Sequence, residues 1–245
     1  MISNLNLDNY NYSLRNDRIA KYPKSKRDDS KLLVYKEGEF INQKFYNIDK
    51  NIPSNSSVFF NNSKVINAKL IFKNRNNAKI EILVINLFNE NYQNLLFNKK
   101  KVVIKTIIKN IKKWKENQTI DKSNNDITLK AKQLNNNKVI FTWNKNKTWL
   151  EILEIFGKIP LPPYLKRNSL PEDLITYQTI YSKDQGSIAS PTAGLHFTKS
   201  LIEKMNKNFL IDFITLHIGI GTFKPVTTKD INRHNMHSEV ISFNK

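Results

Sequence analysis

Cysteine is absent from the 245 residues. That removes a disulfide framework, a thiolate nucleophile and any cysteine-based zinc site, and it suits a cytoplasmic protein. Long apolar runs are absent too: no stretch approaches the roughly 20 residues a membrane helix needs, and Met1 to Tyr22 is too polar for a signal peptide. Histidine occurs four times, a thin basis for a metal centre, and none is expected. No phosphate-binding P-loop is present, and Gly219-Ile220-Gly221 lacks the third glycine of a dinucleotide fingerprint. There is no internal repeat. Acidic residues are scarce, 21 Asp+Glu against 40 Lys+Arg, which leaves a net charge of +19.

What is present bounds the architecture. A chain of this length with 39% hydrophobic residues fills the core of one large domain or two modest ones. The positive charge points first to a polyanionic partner, because lysines that neutralise phosphates release counterions and supply sequence-independent affinity. Lysine, asparagine and isoleucine are all over-used, so compositional drift is an alternative source of that charge. Fourteen lysines against Glu116, Asp121 and Asp126 lie in residues 98–150, interleaved with Trp114, Trp143 and Trp149. Basic residues mixed with aromatics suit RNA; core packing is the competing role for the tryptophans, and a solvated turn for Lys99-Lys100-Lys101.

Along the chain, an amphipathic segment near Leu14 to Tyr22 precedes apolar runs at Leu32 to Tyr35 and Val58 to Phe60. From about Lys69 to Trp149 short β-prone runs alternate with Asn/Lys turns, without long helices. Thr128 to Leu134 and Lys138 to Trp143 around Asn135-Asn136-Asn137 form a predicted hairpin. Closely spaced strands of this kind suggest a small barrel. The expected fold is therefore an α/β main domain over 1–68 and 151–245, interrupted by an inserted antiparallel β-barrel over 69–150. Leu150 to Phe156 reads as a helix stopped at Gly157. The prolines of Ile159-Pro160-Leu161-Pro162-Pro163 impose extended chain. Lys166 to Asp173 is expected to be a mobile surface loop, and Leu174 to Tyr181 a second helix.

Two runs have the composition of a site. Pro191-Thr192-Ala193-Gly194-Leu195-His196-Phe197 leads to Thr198, a candidate N-cap for a helix with the apolar stripe Leu201, Ile202 and Met205. Thr215-Leu216-His217-Ile218-Gly219-Ile220-Gly221-Thr222-Phe223 follows an apolar strand from Phe213 to His217. Ligands of open α/β sheets bind beyond strand tips, so His196 and His217 are expected to face a common cleft with Gly219 and Gly221. Asn61, Asn62 and Ser63 follow another strand at its tip, and Arg27 is a candidate for a phosphate or for Asp28 or Asp29.

These residues are familiar. Ile19-Ala20-Lys21-Tyr22-Pro23, Arg27-Asp28-Asp29-Ser30-Lys31-Leu32-Leu33-Val34, Val58-Phe59-Phe60-Asn61-Asn62-Ser63-Lys64-Val65-Ile66, Lys79-Ile80-Glu81-Ile82-Leu83, Ile159-Pro160-Leu161-Pro162-Pro163-Tyr164 and Tyr177-Gln178-Thr179-Ile180-Tyr181-Ser182 keep one order with the two site runs and His234-Asn235-Met236-His237-Ser238-Glu239. In that order and spacing the sequence resembles the S-adenosylmethionine:tRNA ribosyltransferase-isomerase family, which makes epoxyqueuosine in tRNA. The resemblance implies a tRNA carrying a 7-aminomethyl-7-deazaguanine base as one substrate and S-adenosylmethionine as co-substrate, with no further cofactor, no membrane and a monomeric protein.

The chemistry so implied needs a base with a pKa near neutrality, because the sulfonium acidifies the adjacent C5′ protons of the ribosyl group. Histidine fits, and His196 and His217 are both candidates. Gly219 and Gly221 would let a ligand approach the backbone closely, and Thr192 and Thr222 offer hydroxyls. Pro191, Gly194, Asn61 and Asn62 complete the substrate-binding candidates together with His234, His237 and Glu239, a cluster whose spacing fits no common zinc motif. The family pattern continues beyond His-x-Met-His-Ser-Glu through a Gly-Thr-Thr-Ser-Val-Arg and an Asn-Phe-His-Leu-Pro segment that these 245 residues do not contain. A second reading is accordingly a truncated, catalytically impaired remnant that keeps only RNA binding or the fold.

Overall fold

Period-two alternation decides where the core lies. Along Lys101–Lys109, Val102, Ile104 and Thr106 are buried while Lys101, Val103, Lys105 and Ile107 face outward, as expected for a strand with one packed face. The computed structural model describes residues 6–85, 92–134 and 137–243. It opens with 3₁₀ turns, one of them Asn16–Arg18, where an amphipathic segment is expected from the sequence. An antiparallel hairpin follows, β1 (Lys31–Lys36) and β2 (Glu39–Lys44). Its two turn residues, Glu37 at φ 54° and Gly38 at φ 89°, match the twist of a tight hairpin.

Two strands, β3 (Ser57–Asn61) and β4 (Ser63–Val65), are separated by Asn62 alone. Then come β5 (Lys69–Lys73), β6 (Lys79–Val84), a short helix α1 (Tyr92–Phe97), β7 (Lys101–Lys109), β8 (Thr119–Asn124), β9 (Ile127–Gln133) and β10 (Lys138–Trp143). After them run α2 (Trp149–Phe156) and the two-residue strand β11 (Gly157–Lys158). Strands β5 to β11 form one antiparallel seven-stranded sheet in the order β11-β5-β6-β7-β10-β9-β8. The stretch is not purely β, since α1 lies within it. The predicted hairpin is β9–β10, although Asn135 and Asn136 of its turn fall outside the described residues.

The sheet curls until β8 approaches β5. Across that gap Lys122 Nζ donates to Ile71 O (3.1 Å) and Phe156 O (3.2 Å). Its ammonium lies over the rings of Phe72 and Phe156, so this lysine faces the fold, not a partner, and burial lowers its pKa. The tryptophans are likewise core: Trp149 is fully buried, stacks on Trp143 at 5.6 Å between ring centroids, and Trp114 donates its indole N–H to Gln118 O. Apolar burial, at about 25 cal/mol per Å², is the main force holding the curled sheet over this cluster.

Helix α2 buries Trp149, Ile152, Leu153 and Phe156, the i, i+3, i+4, i+7 stripe of an amphipathic helix. Thr148 and Glu151 form a reciprocal capping box, and those hydrogen bonds hold the Glu151 carboxyl at about 2. The helix does stop at Gly157, but for a different reason from the one its position suggests. Gly157 has φ −88°, open to any residue; a Cβ there would overlap the carbonyl oxygens of Asn67 and Leu153. Backbone atoms cannot swing aside. Gly157→Ala is therefore expected to cost at least about 1–3 kcal/mol, read as a lower urea midpoint; an unchanged midpoint would show that the turn adapts freely.

The remaining elements are α3 (Asp173–Thr176), β12 (Asp184–Ser187), α4 (Lys199–Met205), β13 (Leu210–Leu216) and β14 (Ile241–Ser242). Strand β13 runs parallel to β3 and antiparallel to β14, and β12 pairs parallel with β4. These mixed sheets pack a second core of Phe45, Phe60, Phe197, Leu201 and Met205. Only three residues of the expected helix over Leu174 to Tyr181 are helical, Leu174 to Thr176. The expectation of a mobile loop at Lys166 to Asp173 is also corrected. Arg167 there binds both oxygens of Asp173 at 2.7 Å, and the two side chains are only 11% and 5% exposed.

Candidate active site

The strand tips are tied together by asparagine amides, whose paired donor and acceptor can replace a missing ladder bond. Asn61 Nδ2 donates to Leu216 O (2.8 Å), and its Oδ1 accepts from Leu216 N (3.1 Å) and Ser63 N (3.0 Å). Its amide is thus committed to joining β3 with β13. Asn62 Oδ1 accepts from the Thr215 hydroxyl at 2.6 Å, with Asp184 Oδ2 at 3.0 Å from that hydroxyl. Asn62, Asp184 and Thr215 line a 570 Å³ cavity together with Tyr181, whose hydroxyl burial pushes up to about 12.

The glycine loop after β13 is held from the C-terminal segment. Gly219 N donates to Glu239 Oε1 (2.8 Å), and His237 Nε2 stands 3.5 Å from the same oxygen. The ring of His237 lies so close over Gly221 that any Cβ would overlap it, and the ring of His217 covers Gly186 in the same way, 2.5 Å from a Cβ position. The backbone that sequence reading left open for a ligand is covered at Gly221 by a histidine of the same chain. Thr222 is exposed in the 3₁₀ turn Ile220–Phe223, and His234 follows the turn Ile231–Arg233, half-buried. Among the described residues no three His, Asp or Glu side chains converge as metal ligands would.

His196 sits elsewhere. Pro191 leads into the 3₁₀ turn Thr192–His196, closed by Gly194 N donating to Pro191 O at 2.8 Å, and Gly194 is buried where a Cβ would overlap the Tyr181 hydroxyl. Thr198 then caps α4 through Leu201 N, as its position predicts, and its hydroxyl donates to the buried Asp28. The His196 ring packs on Phe45 at 5.1 Å between centroids and lines a 330 Å³ cleft with Lys21, Tyr22, Arg27, Tyr177 and Thr192. His217 lines neither this cleft nor the 570 Å³ cavity. The two histidine rings have separate packing neighbours, Phe45 for His196 and Gly186 for His217.

Both imidazoles are pushed below the ordinary histidine value by burial. Nearby Arg27 adds to the shift at His196, whereas Asp184 opposes it at His217. Arg27 pairs with neither Asp28 nor Asp29. Its guanidinium donates to Gln178 O (2.7 Å), Ile175 O (2.8 Å) and Leu195 O (3.2 Å), fastening the loop that carries His196 to α3 and its exit. Sequence reasoning missed this role, as it missed the Arg167–Asp173 pair. Spacing carries no signal for a bond 151 residues apart.

A family model described as "Queuosine biosynthesis protein" matches residues 7–245. The S-adenosylmethionine:tRNA ribosyltransferase-isomerase of Sulfurihydrogenibium sp. (strain YO3AOP1) is 37% identical over 245 residues, covering 98% of this chain and 69% of the relative. Those so named from Francisella philomiragia and Campylobacter jejuni strain NCTC 11168 are 38% and 36% identical, with 96% and 98% of this chain and 67% and 69% of the relatives covered. The chain thus spans about two thirds of their length. A solved S-adenosylmethionine tRNA ribosyltransferase from Thermotoga maritima aligns with 85% of this chain and 58% of its own at 24% identity, with a TM-score of 0.30 that carries no argument.

Proposed function

This chain belongs to the queuosine biosynthesis protein family, and from that premise we propose that it is an S-adenosylmethionine:tRNA ribosyltransferase-isomerase. It transfers the ribosyl group of S-adenosylmethionine to the amine of a 7-aminomethyl-7-deazaguanine base in tRNA and isomerises it to the epoxycyclopentanediol of epoxyqueuosine. Adenine and methionine leave. The observation that carries this reading is the unbroken family match over residues 7–245. The remnant reading is not favoured, because every motif segment named from the sequence lies within that match.

The geometry favours His196 as the base. It stands in a cleft that a substrate can enter, and its depressed pKa keeps the imidazole neutral at pH 7, able to take a C5′ proton that the sulfonium has acidified. The pinned Arg27 holds the loop in place and raises the cost of a second positive charge there. Thr192, on the same turn and lining the same cleft, offers a hydroxyl to the ribosyl group. The chain supplies base, cleft and orientation; the reactive group is the co-substrate's own sulfonium. His217 is assigned to packing on Gly186, and His237 and Glu239 to holding the Gly219–Gly221 backbone.

We read residues 69–150 as an inserted β-barrel and residues 1–68 with 151–245 as an α/β main domain. Strands β5 to β10 all fall within the insert, and the Lys122 bridge from β8 to β5 supports closure. A cytoplasmic, monomeric protein is part of the same reading. Among the described residues no helix is long and apolar enough to cross a membrane.

Incubation with S-adenosylmethionine and tRNA bearing the 7-aminomethyl-7-deazaguanine base is expected to release one adenine for each epoxyqueuosine formed, both followed chromatographically. Bound S-adenosylmethionine with no adenine release under these conditions would overturn the activity.

A further inference from the structure

The cleft beside the proposed active site is cationic, and the mechanism above does not use it. The outward residues of β5, β6 and β7 form two rows across the sheet, Lys69–Leu83–Ile107 and Ile71–Glu81–Lys109, because the register pairs Lys69 with Leu83, Leu83 with Ile107 and Glu81 with Lys109. Opposite these rows lie Pro160 to Pro163 and the turn Ile220–Phe223, and between them runs a cleft of 480 Å³. Leu161 and Arg167 belong to its wall and to that of the His196 cleft, so the two are neighbours across one partition.

The charges are unequal. Lys69, Lys109, Lys166 and Lys224 line the cleft with Arg167, whose charge is spent on Asp173, against Glu81 as the one acidic lining residue among the described residues. Glu81 is itself held by Lys79 at 2.7 Å. Half-buried Lys69 lies within the fields of Lys79, Lys109 and Lys158 as well, so its neighbourhood carries more positive charge than one carboxylate offsets. Apart from Asn168 the rest of the lining is apolar, Ile107, Ile220 and Phe223 among it, a surface for the flat face of a base or for ribose and not for a small hydrated anion. A polyanion with planar groups fits both properties.

We propose that this cleft grips the RNA strand next to the reacting nucleotide, its lysines on the phosphates and its apolar floor beneath a base. The inference rests on the reading that tRNA is the substrate. It places the reacting base on the His196 side of the Leu161–Arg167 partition and the flanking strand on the other. Lysine contacts of this kind position the strand without reading its sequence.

The test compares charge removed in the cleft with equal charge removed elsewhere. Lys109→Gln/Lys224→Gln alters two exposed lysines of the cleft; Lys199→Gln/Lys207→Gln alters two exposed lysines at α4. For an unmodified tRNA transcript of the substrate sequence, the cleft variant is expected to bind roughly tenfold more weakly at about 0.1 M salt, with a salt slope smaller by about 1–2. KM for the precursor tRNA should rise with kcat little changed, and the α4 variant should match the wild type. Glu81→Gln should move the other way and tighten binding, which loss of folding would not produce. If both double variants weaken equally, or neither does while the wild type binds tRNA and releases adenine, the cleft assignment falls and the activity stands. If the wild type neither binds tRNA in a salt-dependent way nor releases adenine, both fall.

Discussion

Replacing His196 by alanine is expected to lower the rate of adenine release by about a hundredfold or more, because general base catalysis by a positioned side chain contributes on that order. The variant should fold, since His196 is half-exposed at the edge of the cleft and the Phe45–Phe197 contact beneath it remains. His217→Ala should lose packing on Gly186 and stability, with a smaller effect on the chemical step. The pH profile separates the two. Burial and Arg27 hold His196 below the ordinary value of 6.5, so the neutral, active form persists at pH 7 and the rate falls only as pH drops through that lower value. The same shift acts on folding. The unfolded chain takes up the proton more readily, so His196 removes stability as pH falls below about 6.5, until its folded-state pKa is passed. Single-turnover adenine release measured against pH tests the first statement, and the urea midpoint measured against pH tests the second. An acid limb at or above 6.5, or unchanged turnover in the alanine variant, would remove His196 as the base.

Asp173→Asn is expected to destabilise the fold by about 3 kcal/mol, the cost of breaking one side of a largely buried ion pair. Asp173 accepts both bonds of the Arg167 fork and also Leu170 N at 2.7 Å, so its loss strands a guanidinium that is 11% exposed. The pair holds the Asp173 carboxyl below the usual range. Its contribution is therefore fully present above the unfolded carboxylate value near 3.9 and is lost as pH falls through the lower, folded one. The wild-type urea midpoint should drop over that acid window, and the asparagine variant, already weaker at neutral pH, should drop less. Equal midpoints for both proteins at neutral pH would show that Arg167 finds another partner. Because Arg167 stands in the partition between the two clefts, the variant should also raise KM for tRNA.

Where alternation or capping carried the signal, the sequence was a sufficient guide. Strands β7, β9 and β10 alternate with period two, α4 begins at Thr198, whose side chain accepts from Leu201 N, and prolines keep residues 159–162 extended. Those are local preferences, set by a residue and its near neighbours. Composition in the same way pointed to a polyanion and to residues 98–150, of whose lysines only Lys109 lines the cleft.

Elsewhere local reading failed for reasons that are themselves physical. Leu174 to Tyr181 has a helical pattern but keeps three helical residues, and the chain beyond them is fastened instead by Arg27, which donates to the carbonyls of Ile175 and Gln178. Lys166 to Asp173 looks like a polar loop and is fixed by the Arg167 fork. Gly157 and Gly221 are glycines because a carbonyl and an imidazole from distant positions press against them, not because a turn demands positive φ. Residue order and local pattern were enough for the family, for strands such as β7, β9, β10 and β13, for the two histidine-bearing loops and for the excess of positive charge. Only the tertiary structure decided that His196 lines a cleft while His217 packs on Gly186, and that lysines from β5, β7 and the turns after β11 and β13 share one groove. Those placements depend on strand register and on bonds between residues far apart in the chain, which no local pattern encodes.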